Sequence, residues 1–178
     1  VDRGSTPLTR SRENHCSFIG GSIMLSAQEI KKLVMLGEIT INPFDEKLLK
    51  AASYTFSLGK GFRKLRSTDV IDTQEKHSDF EEFEMDPEGY LLKPGEFIIC
   101  HTQEILRLPD TIGCFLTMRG YLAQIGIDAL QCEIFCEPGS HGGWDGKLML
   151  ETSNRGSYPV RLVPGIKVVK AIFLRLQQ

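Results

Sequence analysis

The chain has 178 residues, 41% of them hydrophobic and 25% charged, with a formal net charge of -2. That length suits one globular domain whose core needs no disulfide or metal staple. The small acidic balance argues against a nucleic-acid surface, which needs a marked basic excess. The longest apolar runs are far too short to cross a bilayer as helices. Cys16, Cys100, Cys114, Cys132 and Cys136 make an odd count, with three in apolar strand-like runs. They read as free thiols of a reducing cytoplasm.

Residues 1–22 are rich in Arg and Ser and lack an apolar signal region. They are expected to be a flexible leader or an added extension, with residues 23–178 forming a single domain. Ser26-Ala27-Gln28-Glu29 is a capping box, in which the Ser26 hydroxyl takes an early backbone N–H and Glu29 reaches back. Ile30, Leu33 and Val34 continue at helical spacing, and Gly37 ends the helix. A strand is expected over 38–42, stopped by Pro43.

From Ser53 the pattern changes to short strands separated by turn residues. Strands are expected over 54–58, 89–92, 97–106, 113–118, 129–135, 147–152, 160–163 and 167–176, with a helical turn at 121–125. Pro94-Gly95, Pro109-Asp110, Pro138-Gly139, Asn154-Arg155-Gly156 and Pro164-Gly165 punctuate them. Many short strands at near-regular spacing point to a β-sandwich, jelly roll or barrel. The acidic stretch 68–88 reads as an exposed excursion that could form a hairpin.

Several metal and catalytic patterns do not fit. A zinc nucleobase deaminase needs His-x-Glu and Pro-Cys-x-x-Cys, and neither is present. Cys132 and Cys136 would share one face of a strand. With His141 they fall short of four well-spaced zinc ligands, so two buried core thiols are the better reading. No nucleophile-elbow or Walker pattern occurs. His101, within a strand, reads as a core or interface histidine. Trp144, the single tryptophan, is either a base-stacking platform or a packed loop anchor.

An ordered series of short motifs spans 23–176. It includes Gly37-Glu38-Ile39-Thr40-Ile41-Asn42-Pro43, Lys93-Pro94-Gly95-Glu96 and Leu108-Pro109-Asp110. Arg119-Gly120-Tyr121-Leu122-Ala123, Gly143-Trp144-Asp145-Gly146, Leu150-Glu151 and Pro159-Val160-Arg161-Leu162-Val163-Pro164-Gly165 follow. This series resembles the dCTP deaminase family of the dCTP deaminase/dUTPase superfamily. The resemblance implies a mainly β, distorted barrel or jelly roll with one or two short helices, assembled as a homotrimer with sites between subunits. It implies a deoxypyrimidine triphosphate substrate, Mg²⁺ carried on the phosphates, and deamination without zinc.

Site residues are carried over one by one. Glu151 matches the catalytic glutamate, which activates water and shuttles its proton; a strand-end carboxylate suits general acid–base work. Arg119 matches the arginine that would hold phosphate or a subunit contact, with a forked geometry suited to either. Glu137 would contact the sugar, and Trp144 would line the base. The pattern departs at Gly120 and Tyr121, where serines are expected, and at Gln124, where an arginine is expected. Thr55 replaces an aspartate, Lys170 a glutamine, and Glu133 a small residue, while Ser140-His141-Gly142-Gly143 is an insertion. Losing a charged donor costs on the order of a hundredfold in rate. The departures therefore leave two expectations: an enzyme, or a catalytically inactive nucleotide-binding or structural trimer.

Overall fold

The computed structural model describes residues 23–66, 70–74, 79–132 and 134–177. The leader of residues 1–22, Cys16 and Glu133 lie outside the described residues.

Helix α1 (Ala27–Met35) starts as its capping box predicts. The Glu29 N–H donates to Ser26 Oγ at 3.4 Å and the Ser26 N–H donates to Glu29 Oε2 at 2.9 Å. The Ser26 N–H and the Ser26 hydroxyl, which donates to Glu29 Oε2 at 2.7 Å, hold the Glu29 carboxyl below its usual range. Ile30 and Leu33 bury one face, and Gly37 leaves the helix at φ +75.

The strands are β1 (Thr40–Asn42), β2 (Leu49–Lys50), β3 (Ser53–Leu65), β4 (Phe80–Glu84), β5 (Tyr90–Leu92) and β6 (Phe97–Arg107). After β7 (Ile112–Met118) comes helix α2 (Gly120–Gln124). Then follow β8 (Ile127–Asp128), β9 (Phe135–Cys136), β10 (Lys147–Asn154), β11 (Val160–Leu162) and β12 (Lys167–Arg175). The main sheet runs β8-β10-β6-β3-β12-β7-β9, with β1 added to β6 and β2 and β4 added to β3; β11 and β5 form a separate ribbon. The β-rich expectation holds. Among the described residues, no helix is long and apolar enough to cross a membrane.

Strand β3 joins the two halves. Its start pairs with β12 and its end with β6 and β4. Tyr54, Phe56, Leu58 and Phe62 point into the core with Ile98, Leu150, Val169 and Phe173, each 3% exposed or less. Burying each such side chain stabilises by ~1.5–3 kcal/mol. Thr55, Ser57, Gly59, Gly61 and Arg63 occupy the opposite face by alternation. Tyr54 to Gly59 are nevertheless all buried, so this stretch is covered on both faces.

Three expectations are corrected. The strand expected at 54–58 runs on to Leu65, because β4 pairs with its far end and forms the hairpin foreseen in the acidic stretch. Of the strand expected over 129–135, only Phe135 lies in a strand among the described residues, as the start of β9. Asp128 Oδ1 accepts the Leu130 N–H at 3.2 Å, an Asx-type turn that ends β8, and pairing resumes only at β9. Outside any strand, Cys132 is exposed while Cys136 stays buried. The two thiols do not share a strand face.

Candidate active site

Glu151 lies on β10, on the sheet face opposite the core. It pairs with Ile99 of β6, which pairs on its other side with Arg63 of β3. Arg63 and Glu151 therefore flank Ile99 on one face, their Cα atoms about 10 Å apart at two strand spacings. The Arg63 guanidinium is held between the rings of Phe80, at 4.7 Å, and Trp144, at 4.6 Å. Its Nη2 lies 3.3 Å from Met149 Sδ. Arg63 Nε and Glu151 Oε2 are both buried without a hydrogen-bond partner. Buried polar atoms are rarely left so, and an unmade bond costs ~1–3 kcal/mol. A bound polar group or water would remove that cost. Gln131 Nε2 donates to the Glu151 carbonyl at 3.2 Å and to Ser153 Oγ at 2.7 Å, which fastens the irregular segment beside Glu151.

His101 forms the floor next to this face. Its ring crosses β3 at Gly59 and Gly61, and a Cβ at either position would stand 2.3 or 2.6 Å from it. His101 Nδ1 is 2.7 Å from the Thr102 carbonyl, so Nδ1 is the donor and Nε2 is left as the acceptor in the neutral ring. Burial holds this imidazole below its ordinary pKa against the pull of the Thr102 carbonyl. Trp144 packs edge-on over it at 4.8 Å. A tight turn supports Trp144: its carbonyl and N–H exchange bonds with Lys147, and Asp145 and Gly146 at φ 50 and 83 supply the two left-handed central residues. These contacts fix the Trp144 ring against His101 and Arg63. A cleft of about 250 Å³ opens here, bounded by Gly61, Glu82, Phe83, His101 and Trp144.

Arg119, Gly120 and Gln124 stand elsewhere in the chain. Arg119 caps α2 in extended conformation, its N–H donating to the Val168 carbonyl at 3.0 Å, and its Nε is buried without a partner. Gly120 faces open space. Gln124 is exposed and lines a groove of about 750 Å³ with Ile125, Tyr158 and Arg161. Glu137 is exposed in the loop after β9. Within one chain, β6, β3 and β12 stand between the strand of Glu151 and the strand leading to Arg119. No hydrogen bond or ion pair joins these two side chains among the described residues.

The structure thus groups Glu151 with Trp144 through Arg63 and Met149. Arg63 is not among the residues that motif reading singles out. A signal for it exists in Gly59-Lys60-Gly61-Phe62-Arg63, where glycines at alternate positions mark a close approach on the face that Arg63 shares.

Residues 24–176 match the model of the dCTP deaminase-like family. A curated relative from Beutenbergia cavernae, "dCTP deaminase, dUMP-forming", is 30% identical over 86% of this chain and 80% of its own length. One of the same name from Methanothermobacter thermautotrophicus is 31% identical over 84% of this chain and 78% of its own. Among solved structures, 2'-deoxycytidine 5'-triphosphate deaminase from Agrobacterium tumefaciens superposes with a TM-score of 0.67 at 19% identity, over 86% of this chain and 48% of that longer one. The dUTPase from Streptococcus mutans gives 0.51 at 14% identity, over 79% of this chain and 96% of its own. These two likenesses concern the fold, which is of the dUTPase-like type. The match over residues 24–176 is decisive: the chain belongs to the dCTP deaminase-like family.

Proposed function

We propose that the protein deaminates dCTP hydrolytically, in deoxypyrimidine nucleotide metabolism, at sites between subunits of a homotrimer. The observation that carries this reading is the Glu151 carboxylate: one oxygen is buried and unpaired, in a chain whose curated relatives are named dCTP deaminases. Glu151 takes a proton from water as the water oxygen bonds to C4 of the cytosine ring. The same carboxylate then delivers that proton to the exocyclic nitrogen, the C4–N bond breaks, and ammonia leaves with dUTP as product. The relatives' names extend to dUMP formation, which would follow by hydrolysis of the triphosphate.

Because three strands separate Glu151 from Arg119 within one chain, a second copy is the natural source of Arg119 at each site. Glu137 would contact the sugar, and Trp144 would border the base. Among the described residues, no group of three His, Cys, Asp or Glu side chains is set to hold a metal. Mg²⁺ would arrive on the substrate phosphates, its usual mode at such ligands.

A second reading is a nucleotide-binding or structural trimer without turnover. It is favoured by Gly120, which presents no hydroxyl, and by the uncharged, exposed Gln124. Purified protein incubated with dCTP and Mg²⁺, with ammonia and dUTP or dUMP followed, separates the two. Product formation that falls at least ~100-fold in Glu151→Gln, with dCTP binding retained, supports the enzyme. No product above background at high protein concentration removes it in favour of the second reading.

A further inference from the structure

The loop that carries Trp144 has little to hold it from within. Gly142 and Gly146, both in the left-handed region, and Gly143 between them leave its backbone free to move. Its ends are tied near the end of β6, where the Leu108 N–H donates to the Ser140 carbonyl and the Leu106 N–H to the Gly146 carbonyl, each at 2.8 Å. Between those ties the Trp144 side chain is the anchor, and it rests on His101 and Arg63.

Arg63 has another partner within reach. Glu82 lies directly opposite it in the β3–β4 pairing, on the same sheet face. Among the described residues, Arg63 nevertheless enters no ion pair. Glu82 is exposed, and an exposed pair contributes little. A half-buried guanidinium between two rings gains more, so the arginine turns to Phe80 and Trp144. Met149 completes the contact: its Sδ lies 3.3 Å from Arg63 Nη2, and its Cε stands 2.9 Å from where a Cβ on Gly143 would be. The glycine thus lets the loop close down on Met149, which precedes Glu151 by two residues on the same face of β10.

Stability alone does not account for this arrangement. A thioether is a weak acceptor for a charged donor, and Arg63 Nε is buried with no partner. An apolar side chain of similar reach would fill the same space without that unmade hydrogen bond. What the guanidinium supplies is a flat, cationic seat for one ring.

We propose that Arg63 is a positioning residue: its guanidinium seats Trp144, and with it the glycine-rich loop, over the face that carries Glu151. That the seated ring borders the base of dCTP rests on the deaminase reading; the seating itself is tested without it.

Trp144 is the single tryptophan, so intrinsic fluorescence reports this seat alone. In Arg63→Met, acrylamide quenching is expected to rise and the emission maximum to move to longer wavelength. Arg63→Lys keeps a cation against the ring and should retain most of the protection. Phe80→Leu removes the other side of the stack and should lose part of it. The urea midpoint of Arg63→Met should hold or rise, since an unpaired buried donor is removed. With dCTP and Mg²⁺, KM is expected to rise about tenfold in Arg63→Met, kcat to stay within about threefold, and Arg63→Lys to restore most of KM. Loss of folded protein would instead lower kcat and leave KM alone.

Quenching equal to wild type in Arg63→Met overturns the seating. A fallen urea midpoint with KM unchanged makes Arg63 a purely structural residue and overturns the positioning role. Should Arg63→Met lose its native circular dichroism, Phe80→Leu decides, and unchanged quenching overturns the proposal. Wild-type turnover of dCTP with equal quenching and equal KM in Arg63→Met removes the seat and leaves the deaminase. Quenching that rises in Arg63→Met, with no product from dCTP in wild type, removes the deaminase and leaves the seat.

Discussion

Replacing Gly61 with alanine tests how tightly the floor of the Glu151 face is built. A Cβ at Gly61 would stand 2.6 Å from His101 Nε2 and 3.2 Å from its Cδ2. The ring cannot swing aside freely: it is fixed at Nδ1 by the Thr102 carbonyl at 2.7 Å, covered by Trp144 at 4.8 Å, and part of a residue only 6% exposed. Overpacking a filled interior costs ~1–3 kcal/mol, and losing the Thr102 bond adds ~1 kcal/mol. The expected destabilisation of Gly61→Ala is therefore ~2–4 kcal/mol. With an m-value of ~2 kcal/mol/M, the urea midpoint falls by ~1–2 M. Measurements belong at one fixed protein concentration, since assembly adds to apparent stability. His101→Ala removes the obstruction, so the double variant should lose at least ~1 kcal/mol less than the sum of the singles. A Gly61→Ala midpoint within ~0.2 M of wild type, or strict additivity in the double variant, would refute the reasoning.

The buried His101 also sets a pH dependence. Its folded pKa lies below the unfolded value of ~6.5, so the unfolded state takes the proton first. Its contribution is complete above that value and is lost as pH falls from it toward the folded pKa; urea midpoints should drop across this window, and less steeply in His101→Ala. Asn154, fully buried, donates through Nδ2 to the Leu92 and Tyr158 carbonyls at 3.0 and 2.8 Å and accepts the Gly156 N–H at 2.9 Å. Asn154→Ala should cost ~2–4 kcal/mol by thermal or urea unfolding, since it strands three backbone groups. In a Cys16→Ser background, thiol titration of the native protein should find Cys132 reacting quickly. Cys100, Cys114 and Cys136 should stay protected, the Cys100 thiol being buried and pushed up to about 12.

Much of the architecture is legible in local pattern. The Ser26–Glu29 capping box, the alternation in β6 and β10 and the turn glycines each correspond to an observed element, because hydrogen bonding and φ preferences act over a few residues. The stretch 129–135 misled for the same reason. Its apolar residues suit a strand, but the Asp128 side chain competes locally for the Leu130 N–H, and Ala129 to Cys132 join no strand. Arg63 escaped because the glycines at 59 and 61 mark a close approach on its face but carry no trace of the two distant rings that clamp its guanidinium.

Residue order alone determined the β-rich class, the helix start and the placing of Glu151, Arg119 and Trp144 in their family context. The pairing of strands decided which of them meet. Ile99 brings Arg63 beside Glu151, a bulge turns Lys167 to the side of Lys170, and three strands part Glu151 from Arg119. Register is a long-range property: one residue of slip exchanges the faces of a strand, and which slip is adopted depends on the whole core closing at once.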